Sequence, residues 1–411
     1  MIVRRLLAIS WEMPPLSGPR AVQVSRLLNH LLPLGWESTV VCFGPRSDRY
    51  GQDADLASRL STSAVRLVRI PSLEERLFFR ILWRVAPVTR RWPDEKWVWI
   101  RPASRAAVNL ARQQRFDAVV SFGQPWSDHL IGSRVRRSTG LPWVAHFSDP
   151  WVDSPYLRGS AWQRRIWRRM ENDVVRQADA VVFVNPQTAD RVMGKYPDEW
   201  RARAHVVPHG FDPAALPTAD ASSDDARLRI VHAGRFYAGR RTPDAMLRAI
   251  AALSARRPIG RELRVVFVGP IDPVSRRLAE RLGLKDVVEF TGRLPYAEAA
   301  RHAAAADVLL VIDAPSDENL FLPSKLVDYL PLCKPILALT PPGASADLVR
   351  SLGYPTIAPD DEPAIAGAVE SLLAARQEGR LRASGQHQSV AQRYDIRRTA
   401  SAFAEILERC A

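Results

Sequence analysis

The chain has 411 residues, of which 46% are apolar and 25% charged, so it exceeds the usual limit for one hydrophobic core and two domains of about 200 residues each are expected. Its three cysteines, Cys42, Cys333 and Cys410, lie far apart without C-x-x-C or Cys/His spacing, which argues against a disulfide framework or a structural zinc and fits a reducing cytoplasm. The net charge of +14 is uneven: residues 1–215 carry 32 basic and 20 acidic side chains, the remainder 26 and 24.

Residues 1–10 hold two arginines and a short apolar run, cut off at once by Trp11, Glu12 and Pro14–Pro15. That run is too short for the core of a signal peptide and is read as a first strand. This strand is placed at 5–9, and further strands are expected at 39–43, 65–70, 118–121, 143–146, 180–184 and 205–207, with an amphipathic helix over 21–34. An acidic stretch at 218–225 reads as a linker. Strands resume at 229–232, 264–268, 287–290, 308–312 and 336–339, and helices close the chain at 384–393 and 397–410. Short β-rich runs alternating with helical patterns predict α/β architecture with two parallel sheets. Ligands of such sheets sit at the carboxyl ends of the strands, so a cleft lined by βα loops of both domains is expected to hold the site. No apolar segment approaches the roughly 20 residues that span a bilayer.

Four loops carry candidate chemistry. The first βα loop, from Trp11 to Arg20, contains Gly18 just before a helix start; a glycine there admits close backbone approach and the helix N-terminus favours an anion. It is not a G-x-G-x-x-G fingerprint, and a plain Pro/Gly loop would read the same way. The second domain opens on Gly234, Arg235, Gly239, Arg240 and Arg241. Guanidinium groups beside glycines at a strand end suit bidentate recognition of a diphosphate, although solvated surface arginines have the same composition. The third constellation comprises Glu318, Asn319, Leu320, Pro323, Ser324, Lys325 and Asp328. Ser324 is expected to cap a helix whose N–H groups face a phosphate, with Asp328 accepting from a ribose diol; an acidic residue answering the helix dipole is the plainer alternative. In the first half, His146 and Asp149 stand at a strand end, where they are suited to orienting a hydroxyl or taking its proton.

The pieces P-P-L-S-G-P-R-A, H-F-S-D-P-W, V-V-P-H-G-F-D, H-A-G-R-F-Y-A-G-R-R and L-P-S-K-L-V-D-Y-L-P-L-C-K-P-I-L, in this order, resemble the retaining glycosyltransferases of the GT-B fold, family 4. The resemblance covers nearly the whole chain. It implies an acceptor-side Rossmann-like domain over 1–210 completed by a helix at 395–411, and a donor-binding domain over 211–394. Gly18 then matches a glycine near the donor phosphates, Arg235 the arginine that clamps the diphosphate, and Arg240 a position usually held by lysine. Asp328 matches the ribose-binding second acid of the E-x7-E element. Leu320 falls where the first glutamate is usual, and Glu318 is a nearby substitute.

The expected function is retaining transfer from a nucleoside-diphosphate sugar, with Arg235 and Arg240 stabilising the leaving diphosphate. No cofactor or metal is expected, since no Asp-x-Asp stands where a metal would want it. The segments 78–105 and 157–176 mix tryptophan with arginine, which suits either an anionic membrane surface or packed helices with snorkelling arginines. A lipid-linked sugar or cell-envelope glycan precursor is therefore the expected acceptor, for a cytoplasmic protein in peripheral contact with the inner membrane face. Nucleic acid is not an expected partner, because no recognition motif accompanies the charge. A sugar-nucleotide epimerase and a catalytically inactive sugar-nucleotide binding protein are the rival readings.

Overall fold

The computed structural model describes residues 3–45, 52–85, 92–216, 226–237 and 239–411, without the side chains at 77 and 80. The linker expected at 218–225 lies outside the described residues, as do Ala238, Arg90, Arg91 and the Arg80 side chain.

The chain forms two compact units, one of Met1–Gly210 with Ile396–Ala411 and the other of Phe211–Asp395. The first contains seven strands: β1 Arg4–Ile9, β2 Trp36–Phe43, β3 Val65–Ile70, β4 Ala118–Gly123, β5 Trp143–Phe147, β6 Ala180–Phe183 and β7 Ala204–Val206. They lie in the order β3-β2-β1-β4-β5-β6-β7. The second contains β8 Leu228–Ala233, β9 Leu263–Val268, β10 Val288–Gly292, β11 Val308–Ile312, β12 Ile336–Leu339 and β13 Thr356–Ile357, in the order β10-β9-β8-β11-β12-β13. Every pairing of named strands is parallel. Both are Rossmann-like α/β sheets, as expected, and the strand order reverses between β1 and β4 and between β8 and β11.

Helices cover both faces of each sheet, which is why the strands are apolar throughout rather than alternating. In β1, Leu7 and Ile9 enter one core while Leu6 and Ala8 enter the opposite one. In β11, Leu310 and Ile312 face one side and Leu309 and Val311 the other. Helix Ile396–Cys410 sets Ala400, Phe403, Ala404, Ile406 and Leu407 into the same core as Val24, Leu28 and Leu31 of helix Pro19–Leu31. A terminal segment with this apolar stripe is held to the first unit by burial, worth about 1.5–3 kcal/mol for a fully buried large side chain.

Strand expectations agree with the structure to within a few residues at each end. The pair Thr356–Ile357 is an additional strand, too short and too half-buried to leave an apolar run. The helix expected over 21–34 begins at Pro19 and tightens into a 3-10 turn at Leu32–Leu34.

Candidate functional site

In the second unit, the loops after β8 and β11 flank the strand-order reversal, where an open parallel sheet offers a crevice. Gly234 leaves β8 with φ +153°, and a Cβ there would lie 3.2 Å from Lys325 Cδ and 3.3 Å from Lys325 Nζ. The ammonium of Lys325 rests on this glycine and lies 3.0 Å from His232 Nε2. His232 Nδ1 lies 3.0 Å from the Leu310 carbonyl oxygen. A carbonyl can only accept, so Nδ1 carries the proton and Nε2 accepts from Lys325. Burial, then the charges of Lys325 and Arg241, hold the imidazole well below its usual pKa and therefore neutral. Lys325 is likewise held well below the usual lysine value by burial and Arg241, with Asp313 acting in the opposite sense.

The loop after Gly234 doubles back through a Tyr237–Arg241 bridge. Arg241 Nη2 donates to the Arg235 carbonyl at 2.6 Å, and its guanidinium lies 5.1 Å from the Tyr237 ring centre. Its Nε is buried without a hydrogen-bond partner. Arg235 and Arg240 are exposed on the same turn. Arg241, grouped with Arg235 and Arg240 by composition alone, is thus the guanidinium whose charge bears on Lys325 and His232.

The segment from 313 to 328 departs from expectation in three respects. Ser324 does not cap the helix Ser324–Tyr329; it is the first helical residue, Pro323 stands at the N-cap position and no side-chain cap forms. Asn319 is buried and spent on bracing: its Nδ2 donates to Asp313 Oδ2 at 2.9 Å and to Ser345 Oγ at 3.1 Å, and its Oδ1 accepts from the Phe321 N–H. Leu320 is 4% exposed and apolar, so its side chain offers a ligand no polar contact. Glu318 is exposed, and Asp328 is half-buried one turn after Lys325, on the same face of its helix.

In the first unit, polar groups converge after β1, β4 and β5. Arg20, at the start of helix Pro19–Leu31, is buried and donates to Ser148 Oγ and to the Gly123 carbonyl. Its guanidinium also bears on Asp149, Glu12 and Asp128. Asp149 is half-buried, accepts from Gln124 Nε2 at 3.1 Å, and is raised by burial, with Arg20 opposing. Ser148 Oγ also lies 3.1 Å from His209 Nε2.

Two expectations are corrected here. Gly18 is not open to a ligand: a Cβ on it would lie 1.9 Å from Glu12 Oε1. The Glu12 carboxylate accepts from the N–H groups of Arg20 and Ala21 and so occupies the helix N-terminus itself. His146 is 3% exposed and lies beneath the loops, its ring 5.2 Å from Phe122, 5.6 Å from His209 and 6.1 Å from Phe403. Burial and the charge of Arg20 lower its pKa to about 3, so it is neutral and too weakly basic to take a proton from an acceptor hydroxyl near pH 7. The sequence carried a faint signal for Arg20, a charged residue on the buried face of an apolar helix. Glu12 left none, because it caps from across a proline-rich loop.

Residues 20–210 match the family model described as "Glycosyl transferase 4-like domain", and residues 227–375 that described as "Glycosyl transferases group 1". Among curated relatives, D-inositol 3-phosphate glycosyltransferase 2 of Catenulispora acidiphila is 32% identical over 155 residues, 34% of this chain and 36% of that protein. D-inositol 3-phosphate glycosyltransferase of a Nocardioides species is 30% identical over 211 residues, 45% of each chain. The chain thus spans less than half the length of these curated relatives. Among solved structures, HepE of Anabaena in complex with UDP-glucose superimposes with a TM-score of 0.69 at 16% identity, covering 98% of this chain and 99% of that one. Sucrose-phosphate synthase from Thermosynechococcus elongatus gives 0.72 at 17% identity, covering 99% and 98%. At these identities the likeness is one of fold.

Proposed function

Because the chain belongs to the family 4-like glycosyltransferases of the GT-B fold, we propose that it moves a sugar from a nucleoside-diphosphate sugar to an acceptor, with retention of configuration. The observation that carries this reading is the cationic group at the β8/β11 reversal, where Lys325 and Arg241 sit beside a close-packed Gly234 with Arg235 and Arg240 on the same turn. Such a group suits a diphosphate in the substrate and, more so, the charge that builds on it as the glycosidic bond breaks. These four side chains would neutralise the leaving group without a metal. Asp328 would hold the ribose. HepE, which shares the fold, binds UDP-glucose, and this supports a nucleotide sugar as partner.

Asp149 is assigned the acceptor hydroxyl, which it would orient or deprotonate from the end of β5. Peripheral contact of a cytoplasmic protein with an anionic membrane, and hence a lipid-linked or envelope-glycan acceptor, is supported by two exposed surfaces. On helix Leu77–Val85, Phe78, Ile81 and Val85 are 66%, 54% and 79% exposed at helical spacing. On helix Ala161–Gln177, Arg164, Arg165, Arg168 and Arg169 are exposed beside Trp162, whose ring lies 4.9 Å from that of Trp92 at a tilt of 33°. Among the described residues no helix is long and apolar enough to cross a membrane.

The test is turnover of a panel of UDP-, GDP- and dTDP-sugars with a membrane lipid extract and no added metal, measuring free nucleoside diphosphate and labelled lipid. Release that collapses in Lys325→Ala and Arg241→Ala supports the assignment. Isomerised donor without acceptor would establish an epimerase, and donor binding without turnover a binding protein.

A further inference from the structure

The first six strands of the seven-stranded sheet follow the order of the six-stranded one, so the loop after β1 and the loop after β8 occupy the same topological place. Their chemistry is opposite. The loop after β8 brings cations to its strand end: Arg235, Arg240 and Arg241, met by Lys325. The loop after β1 brings a carboxylate. Glu12 lies against Gly18, accepts the N–H groups of Arg20 and Ala21, and so fills the position that a helix N-terminus offers to a ligand anion.

The cations around that carboxylate are already engaged. Arg20 is bound to Ser148 and Gly123 and flanked by Asp149 as well as Glu12. Lys96 pairs with Glu74 at 3.2 Å and lies 4.5 Å over the Trp11 ring. Arg20 is thus already shared by Glu12 and Asp149, and an incoming phosphate would compete with both carboxylates for it.

Resting on the transfer reading above, we propose that the first unit accepts a reacting group that bears hydroxyls and no phosphate, and that Glu12 is the specificity-determining residue that turns phosphorylated acceptors away. A neutral polyol can donate hydroxyls to the Asp149 carboxylate, whereas a phosphate monoester places like charges side by side, a penalty on the order of a hundredfold in affinity or more. This separates the chain from the curated relatives named for D-inositol 3-phosphate.

The experiment has two arms. With the donor identified by diphosphate release, inositol and glucose are compared with inositol 3-phosphate and glucose 6-phosphate as acceptors, with the wild-type protein. Independently, inorganic phosphate is titrated calorimetrically into wild type, Glu12→Ala and Glu12→Gln, each saturated with nucleoside diphosphate so that the second unit is filled. Phosphate binding that is weak in wild type and tightens on the order of a hundredfold in Glu12→Ala supports the proposal. Glu12→Gln, which keeps the side chain's shape over the helix start, decides the point if the alanine variant does not fold. A wild-type preference for the phosphorylated acceptor, or no gain of phosphate affinity in folded variants, overturns it. Failure of every donor to turn over would instead sink the transferase reading, and the phosphate titration would still answer for Glu12.

Discussion

Lys325 donates to His232 across 3.0 Å, and His232 can accept because its other nitrogen is committed to the Leu310 carbonyl. The ammonium is thus positioned by a neutral partner and stays available to an anion. Its lowered pKa fixes two opposite signs. The unfolded chain holds this proton more tightly than the folded one, so Lys325's contribution to stability rises with pH between its lowered value and its ordinary one. Diphosphate binding needs the charged form, so affinity falls as pH rises through the lowered value. Calorimetry of nucleoside diphosphate binding across the pH range below the ordinary lysine value should show that decline, and Lys325→Arg, which stays charged, should flatten it. An unchanged slope in the arginine variant would remove Lys325 from the binding site.

A Cβ on Gly234 would crowd the Lys325 side chain. With φ +153° and Lys325 Nζ 3.3 Å from the position of a Cβ, Gly234→Ala should cost about 1–3 kcal/mol in backbone strain and displace the ammonium. Diphosphate affinity should fall in parallel with the melting temperature of the second unit. Retention of both would show that the loop relaxes.

Asp149 is held between Arg20 and Gln124. Asp149→Asn keeps the shape and the Gln124 contact but not the charge, and kcat should drop about 10²- to 10⁴-fold if the carboxylate takes the acceptor proton. Nucleoside diphosphate affinity should not change. A kcat close to wild type assigns Asp149 to positioning alone.

Phe403 is fully buried in the first unit, with its ring 6.5 Å from Phe122. Phe403→Ala should destabilise that unit by about 3–5 kcal/mol in urea titration. A loss below about 1 kcal/mol would mean that helix Ile396–Cys410 is held mainly by its other contacts.

The exposed stripe of Phe78, Ile81 and Val85, together with the exposed arginines of helix Ala161–Gln177, predicts sedimentation with anionic vesicles whose electrostatic part weakens with salt. Serine at all three positions should abolish it, with nucleoside diphosphate affinity unchanged. Equal sedimentation of the variant, or none of the wild type at physiological salt, points to an acceptor away from the membrane.

The sheets were legible because a strand buried on both faces must be apolar throughout, as Val308–Ile312 is, and such runs are hard to mistake. Cationic loop chemistry after β8 was legible as composition, but not which guanidinium points inward. That depends on the Tyr237–Arg241 bridge, which places Arg241 rather than Arg240 toward Lys325. Ser324 is a good cap by type, yet the helix starts there because Pro323 ends the extended segment one residue earlier. Glu12 and Gly18 meet through a loop closure that local spacing does not encode.

The first unit takes its last helix, Ile396–Cys410, from beyond the whole of the second. During synthesis the second unit has all its residues, Phe211–Asp395, outside the ribosome before the first can bury Val24, Leu28 and Phe403 together. The segment made first is therefore the one completed last, and until then it exposes the apolar face of helix Pro19–Leu31 that residues 396–410 go on to cover.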